Sequence, residues 1–230
     1  MELLFLTTAF RYEDAARYRQ SKSHVVLEQS STSSKDIFKH AGTWFSAAYF
    51  LTYVGIETAI SGWVVSFMTR SRHASVYMAS LSSSGFWGGM AIGRLILGHV
   101  TDRIGVRRAA TMYLSCAIGL LLLFALIRSP VVSIVIMIFA GFVMGPLFPS
   151  GVVVLSELLP GELHVAAVSF VASVGQIGGA ALPFGIGAVV QGLGIGVFRW
   201  VILLFACIAI CAWIIFSQLK PRSVARRQLD

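Results

Sequence analysis

The sequence predicts an all-α membrane protein in which six transmembrane helices form one bundle. Of its 230 residues, 57% are hydrophobic and only 12% are charged, whereas soluble domains carry about 25% charged residues. The mean hydropathy is +0.80. The apolar residues are gathered into six runs, and each run is long enough to cross a bilayer as a helix that rises about 1.5 Å per residue. A soluble globular domain is therefore excluded.

The first 42 residues are predicted to lie outside the bundle. Residues 1–10 form an apolar run that is about half of the roughly 20 residues a spanning helix needs. They also lack the basic start and the cleavage site of a secretory signal. Residues 11–40 are polar and rich in Ser, Lys and Arg, which predicts a flexible, solvated segment with at most a short amphipathic helix over 12–18.

The bundle is predicted to occupy residues 43–219 and to be followed by a basic tail over 220–230. The segments between the apolar runs are short, so helices that are neighbours in sequence should be antiparallel. An even number of spans places both chain termini on the same side of the membrane. The six spans are predicted at about 43–68, 75–99, 109–127, 131–156, 165–191 and 196–219.

The distribution of Lys and Arg predicts that both termini are cytoplasmic. The membrane is expected to be the plasma membrane or the vacuolar membrane. With the termini inside, thirteen of the 18 basic residues lie on cytoplasmic segments, four lie on the opposite side, and Arg94 lies within a span. Cytoplasmic loops collect Lys and Arg, so this orientation is favoured. The net charge of +8 is divided among tails and loops, and no continuous basic face is left for a nucleic acid.

Glycine and proline distinguish some spans from others. The second span carries Gly85, Gly89 and Gly93 at steps of four, which predicts close approach of another helix. The fourth contains Pro146 and Pro149, which remove amide donors and predict a bend or break. Interrupted helices at membrane depth occur where they line protein or a wet cavity, as they do in transporters.

Glu57 is the first candidate for a functional group, because it lies near the middle of the first span, where a carboxylate is costly. Tyr49, Tyr53 and Ser61 are spaced from it in steps of four and extend a polar stripe along one helix face. One interpretation is a buried, protonated Glu57 with a hydrogen-bonded neighbour. The other is a cavity carboxylate that binds a solute or exchanges a proton, with Tyr53 beside it.

Two further polar groups lie within spans. Gln176 in the fifth span is surrounded by glycines and followed by Pro183. It is a candidate solute ligand because an amide can donate and accept without a desolvated charge, and an interhelical hydrogen bond is the equal alternative. Arg94 is predicted to reach the interface or to pair with Asp102 or Glu157, in preference to binding a solute.

A glycine-containing turn with one acid and three arginines is predicted between the second and third spans. Asp102 is expected to meet the next helix N-terminus or to pair with arginines of the turn. The hypothesis is that this pairing closes the cytoplasmic side in one conformational state. The residues of this conformational motif are Gly98, Asp102, Arg103, Gly105, Arg107 and Arg108.

This turn resembles the loop signature of the major facilitator superfamily, G-x-x-x-D-R-x-G-R-R, with Val106 where the signature often has an Arg. Together with the sequences GPLFPS and VGQIGGAALPF, it makes residues 40–220 similar to the C-terminal half of a fungal transporter of the fucose-permease-like branch. The resemblance implies a twelve-helix fold in two halves with the solute between them. It also implies that residues 11–40 are the linker between the halves and that residues 1–10 are the end of the sixth helix.

The predicted function is therefore transport of a small solute by a secondary, proton-coupled transporter of which this chain is the C-terminal half. The expected partners are the lipid bilayer, the solute, and a missing N-terminal half or a second copy of the chain. The alternative is a truncated, non-transporting membrane fragment that binds or regulates a partner half. No nucleophile, zinc or nucleotide motif is present, so neither an enzyme, a metal site nor a cofactor is predicted.

Overall fold

The computed structural model describes residues 34–219, and all regular structure in that part of the chain is helical. This agrees with the predicted fold class. Within these residues, seven α-helices are joined by short connections and by 3₁₀ turns at Gly161–Leu163 and Ile195–Val197, and a further 3₁₀ turn at Ser34–Lys39 precedes the first helix. The α-helices are α1 (Ala41–Arg72), α2 (Val76–Ile104), α3 (Val106–Leu126), α4 (Pro130–Met144), α5 (Leu147–Leu158), α6 (His164–Leu193) and α7 (Phe198–Gln218).

The helices pack as a bundle with α1 at its centre. α1 packs against α6 on one side and against α7 and α2 on others, while α2 lies along α4, and α3 packs on α4 and α7. The core is built from large side chains that these helices bury completely. They include Tyr49, Phe50, Tyr53, Phe67, Phe86, Phe124, Phe198, Trp213 and Phe216.

Each of the six predicted spans coincides with a helix, and the fourth coincides with two. Within residues 34–219, five helical stretches are both long and apolar enough to cross a membrane: Ala41–Arg72, Val106–Leu126, Pro130–Leu158, Gly161–Leu193 and Ile195–Gln218. α2 has 29 residues, which is sufficient length, but serines, glycines and Arg94 dilute its hydropathy. It runs along α4 within the same bundle, so we count it as the sixth span.

The fourth span is broken where the sequence predicted a break. α4 ends at Met144, and α5 begins at Leu147 after a two-residue turn at Gly145 and Pro146. Pro146 and Pro149 have no amide hydrogen, so they cannot donate to the carbonyl groups four residues before them. The break lies within the bundle, because the residues on either side of it, Met144 and Leu147, are buried.

The glycines of α2 bring its backbone against that of α4, as predicted. A Cβ atom on Gly89 would lie 2.1 Å from the Ile138 carbonyl oxygen, and one on Gly93 would lie 1.9 Å from that of Phe142. The fit is reciprocal, because a Cβ on Gly141 would lie 2.0 Å from the Phe86 carbonyl oxygen. A side chain at any of these positions would separate the two helices.

The turn between the second and third spans is shorter than predicted. α2 continues through Gly98 and Asp102 as far as Ile104, so the expectation that Gly98 helps to form the turn is wrong. Gly105 alone makes the turn, with φ +92°, a value that glycine adopts without strain. The physical reason is that the polar residues of the turn can extend α2 into water by one further turn of helix.

The polar segment before the bundle is more ordered at its end than predicted. Ile37 is buried and Phe38 packs edge-on against Phe170 at 5.0 Å between ring centroids. These two apolar side chains explain the 3₁₀ turn in a segment expected to be solvated. The apolar run 1–10, the amphipathic pattern at 12–18 and the basic tail 220–230 lie outside the described residues.

Candidate functional site

Glu57 is buried in the middle of α1 and pairs with Arg94 of α2. The carboxylate is 8% exposed, and its Oε1 lies 3.9 Å from Nη2 of Arg94, whose side chain is about half exposed. The prediction that Arg94 pairs with Asp102 or Glu157 is therefore wrong. The pairing has a physical reason, because two opposite charges within the membrane cost less together than apart.

Arg94 also contacts the break in the fourth span. Its Nε donates to the Gly145 carbonyl oxygen at 3.2 Å. This carbonyl would accept from residue 149 in a regular helix, but Pro149 has no hydrogen to donate. One guanidinium therefore connects the Glu57 carboxylate to the point at which α4 gives way to α5.

The tyrosines of the predicted polar stripe stabilise the same break. The Tyr53 hydroxyl donates to the Met144 carbonyl oxygen at 2.9 Å, and the Tyr49 hydroxyl donates to that of Leu147 at 3.1 Å. Both tyrosines are completely buried. Tyr53, expected to contact a solute, thus donates within the protein in this conformation.

A polar cleft of about 210 Å³ opens beside this break. Arg94 and Asp102 supply its charges, and Thr101 and Ser150 supply hydroxyl groups. Glu57 does not line the cleft, but its ion-pair partner does. The remaining lining residues are Gly98, Val106, Pro146, Pro149 and Val153.

Gln176 is not brought to Glu57. It lies exposed on α6, while the neighbouring Gly175 and Gly178 face α1 and are buried. The structure instead identifies Thr58 as an interhelical donor that the sequence analysis missed. Its Oγ1 lies 3.0 Å from the Gly179 carbonyl oxygen, and it shares its one hydrogen between this carbonyl and those of Val54 and Gly55 in its own helix. The Gly179 carbonyl is the one that Pro183 leaves without a helical donor.

The arginines of the conformational motif have different partners from those predicted. Arg107 pairs with Glu157 at the end of α5, at 3.2 Å between Nη2 and Oε2, and donates to the Ser217 carbonyl oxygen at the end of α7 at 2.6 Å. Asp102 forms no ion pair within residues 34–219, and Arg103 and Arg108 are exposed. The expected pairing of Asp102 with Arg103 and Arg107 is therefore not formed in this structure.

Two arginines at the opposite end of the bundle are held by the last turn of α3. Arg72 donates to the Phe124 carbonyl oxygen and to the Ser133 hydroxyl, and its guanidinium lies 4.1 Å from the centroid of the Phe124 ring. Arg199 donates to the Ala125 carbonyl oxygen at 3.1 Å. Cations at a helix C-terminus satisfy free carbonyls, which explains basic residues on the side predicted to carry few of them.

The sequence identified Glu57 and Arg94 as charges within predicted spans, but it did not identify them as partners. Glu57 lies near the middle of its span and Arg94 near the end of the next one, and the two have opposite charges. A membrane-embedded charge is expected to have a partner of this kind. Among the described residues, no three or more His, Cys, Asp or Glu side chains come together as a metal site would require.

The bundle, the broken fourth span and the charge pair between α1 and α2 are features of a membrane carrier. The family model described as Major Facilitator Superfamily matches residues 45–229, most of the chain. The chain therefore belongs to the major facilitator superfamily, whose members are transporters, and it is a multi-pass integral membrane protein.

Two curated proteins are similar to the chain. Bypass of stop codon protein 6 from Saccharomyces cerevisiae is 28% identical over 220 residues, which cover 84% of this chain and 44% of the yeast protein. The glucose/mannose transporter GlcP from Bacillus subtilis is 28% identical over 143 residues, which cover 62% of this chain and 35% of that protein. The yeast relative fits the fungal resemblance noted in the sequence.

A solved structure has the same fold. The crystal structure of the E. coli fucose:proton symporter matches with a TM-score of 0.71 and 17% identity, over 84% of this chain and 47% of the symporter. The chain thus spans about half the length, or less, of the proteins that it matches.

Proposed function

We propose that the chain forms the C-terminal six-helix half of a proton-coupled secondary transporter for a small solute. The observation that carries this proposal is the Glu57–Arg94 pair, which joins α1 to α2 and contacts the break in the fourth span. Glu57 is an acid that can take up a proton, and Arg94 is the counterion whose attraction to Glu57 would change with that proton. Arg94 also contacts the fourth span at the point where it can bend.

Coupling would follow from the charge on Glu57. An ionised Glu57 attracts the Arg94 guanidinium, whereas a protonated Glu57 does not. Once released, Arg94 can turn further into the cleft that it shares with Asp102. Its hydrogen bond to the Gly145 carbonyl would then weaken, and the angle between α4 and α5 would be free to change.

The solute would bind in the cleft that Arg94 lines, next to the helices that would move. The cleft has a guanidinium, a carboxylate and two hydroxyl groups, which together can donate to and accept from the hydroxyl groups of a polar solute. We propose hexoses as the first solutes to test, since the names of two proteins similar to this chain refer to fucose and to glucose and mannose. Neither an enzymatic step nor a cofactor is part of this proposal.

The proposed orientation has both termini in the cytoplasm of a plasma or vacuolar membrane, and it is supported by thirteen basic residues against four. The Arg107–Glu157 pair would then lie at the cytoplasmic end of the bundle. It holds the ends of α5 and α7 to the start of α3, so we propose that it takes the closing role first assigned to Asp102.

Uptake into proteoliposomes tests the proposal. Radiolabelled fucose, glucose and mannose would be supplied with an inward proton gradient to the chain alone and to the chain joined to an N-terminal six-helix half from a relative. We expect gradient-driven accumulation by the joined protein. If neither protein accumulates any of the three sugars, the proposal of a hexose transporter is contradicted. The alternative of a non-transporting membrane fragment is then favoured.

A further inference from the structure

A groove lies between α3 and α7 on the wall of the bundle. It is a shallow, open depression of about 740 Å³, and none of its lining residues also lines the cleft beside Arg94. It is lined by Arg107, Arg108, Thr111, Met112 and Ser115 of α3, together with Ser217 and Gln218 of α7.

Of the two arginines in this groove, Arg108 is the one whose hydrogen-bond donors have no partner among residues 34–219. Arg107 is occupied by Glu157 and by the Ser217 carbonyl oxygen. Arg108 is exposed and forms no ion pair or hydrogen bond with any residue in the range 34–219. The Gln218 amide on the facing helix is also exposed, so a guanidinium and an amide are both free to donate to one anion.

Met112 is the apolar side chain among the residues that line the groove, and it is 58% exposed. Beyond the groove, the exposed side chains of α3 include Leu122 and Leu123, and those of α7 include Ile208 and Ile215. A ligand that extends from the groove along these two helices would meet a positive charge at one end and apolar side chains along the rest, which is the complement of an amphiphile with an anionic head.

We propose that the groove between α3 and α7 binds an anionic phospholipid, with its phosphate on Arg108 and Gln218 and an acyl chain along Met112. Two observations favour a lipid over a free phosphate ion. The exposed apolar side chains along the two helices would gain nothing from phosphate alone, and both helices are among the stretches apolar enough to cross a membrane. Basic pockets between transmembrane helices on the cytoplasmic side are a known way of holding anionic head groups.

Native mass spectrometry of the purified, delipidated chain in detergent tests this site. The probes are phosphatidylserine and phosphatidylcholine with identical acyl chains, with inorganic phosphate as a competitor. We expect tighter binding of phosphatidylserine, no displacement by millimolar phosphate, and an affinity about fivefold weaker in Arg108→Gln, the size of effect that one basic residue has near an anionic lipid. Arg108→Lys should retain most of the binding.

Arg103→Gln is the matched control, because it removes an exposed arginine at the end of α2 that does not line the groove. It should leave binding of phosphatidylserine unchanged. Equal binding of the two lipids, or an equal loss in both Gln variants, would contradict the proposal and indicate a general charge effect. Displacement by phosphate would reassign the site to a free anion.

Discussion

Carbonyl groups that proline leaves without a donor are met by side chains from neighbouring helices. Arg94 donates to the carbonyl that Pro149 leaves open, and Thr58 donates to the one that Pro183 leaves open. An unsatisfied carbonyl in hydrocarbon costs several kcal/mol. Such bonds therefore fix how α1 and α2 are rotated, and they bring Glu57 and Arg94 to the same place.

Tyr53→Phe should reduce the stability of the bundle. The change removes only the hydroxyl that donates to the Met144 carbonyl, and a lost interhelical hydrogen bond costs about 1 kcal/mol. Equilibrium unfolding in mixed detergent micelles would measure this loss. Tyr77→Phe is the control, since Tyr77 is 74% exposed, and it should have no effect. Equal stability of Tyr53→Phe and wild type would show that this bond does not hold the break.

At the scale of single residues, the sequence identified candidate functional residues but not the residues that they contact. Glu57 and Arg94 were both identifiable as charges within spans, yet 37 positions separate them and helix rotation decides whether they meet. Tyr53 was placed correctly on the polar face of α1. Its role as a donor to Met144 depends on which carbonyls the break in another helix exposes, and the pattern of α1 contains no such information.

At the scale of helices, the crossing of α2 and α4 depends on small residues from both partners. Gly89 and Gly93 admit the backbone of α4, and Gly141 admits that of α2. The close approach brings Arg94 within reach of Gly145, so the glycine pattern of α2 is a condition for the functional site as well as for packing.

Gly93→Ala should destabilise the bundle by about 1–3 kcal/mol, because the new methyl group would overlap the Phe142 carbonyl oxygen and force α2 away from α4. Gly98→Ala is the matched control on the same helix, where an added Cβ meets nothing within 4 Å. That variant should be unchanged, or more stable by up to about 1 kcal/mol. Unfolding in mixed micelles separates the two outcomes, and equal stability of both variants would contradict the close crossing.

Helix boundaries were predictable to different degrees. The break in the fourth span follows from two prolines, whose effect is local, and it was predicted at the right place. The turn after the second span was placed too early, because Gly98 has the composition of a turn residue but lies within a helix that continues to Ile104. Of Gly98 and Gly105, only Gly105 has a backbone angle that favours glycine.

At the scale of the molecule, the six-span bundle follows from composition, since most apolar runs are too long and too uniform for a soluble fold. Membership of the major facilitator superfamily followed from the arginine-containing turn and the proline motif together. The solute could not be predicted, because a binding site is set by side chains that meet in space, and the relatives extend well beyond the length of this chain.

The proposed orientation predicts which side chains can be labelled in intact cells. In a chain whose three native cysteines are replaced, a cysteine at Ser223 should react with an impermeant maleimide only after permeabilisation. A cysteine at Ser129, between α3 and α4, should react in intact cells that carry the chain in the plasma membrane. The reverse pattern would contradict the charge-based orientation.

The most direct test of the central claim is the variant Glu57→Gln in the transporter joined to an N-terminal half. The change keeps the size of the side chain and removes its charge and its proton. With the hexose that the wild type accumulates, Glu57→Gln should lose accumulation driven by a proton gradient and retain exchange of labelled for unlabelled hexose. Glu162→Gln, the control at an exposed acid in the turn between α5 and α6, should keep accumulation dependent on the gradient. Accumulation by Glu57→Gln at the wild-type level and with the same pH dependence would contradict the assignment of Glu57 as the coupling carboxylate.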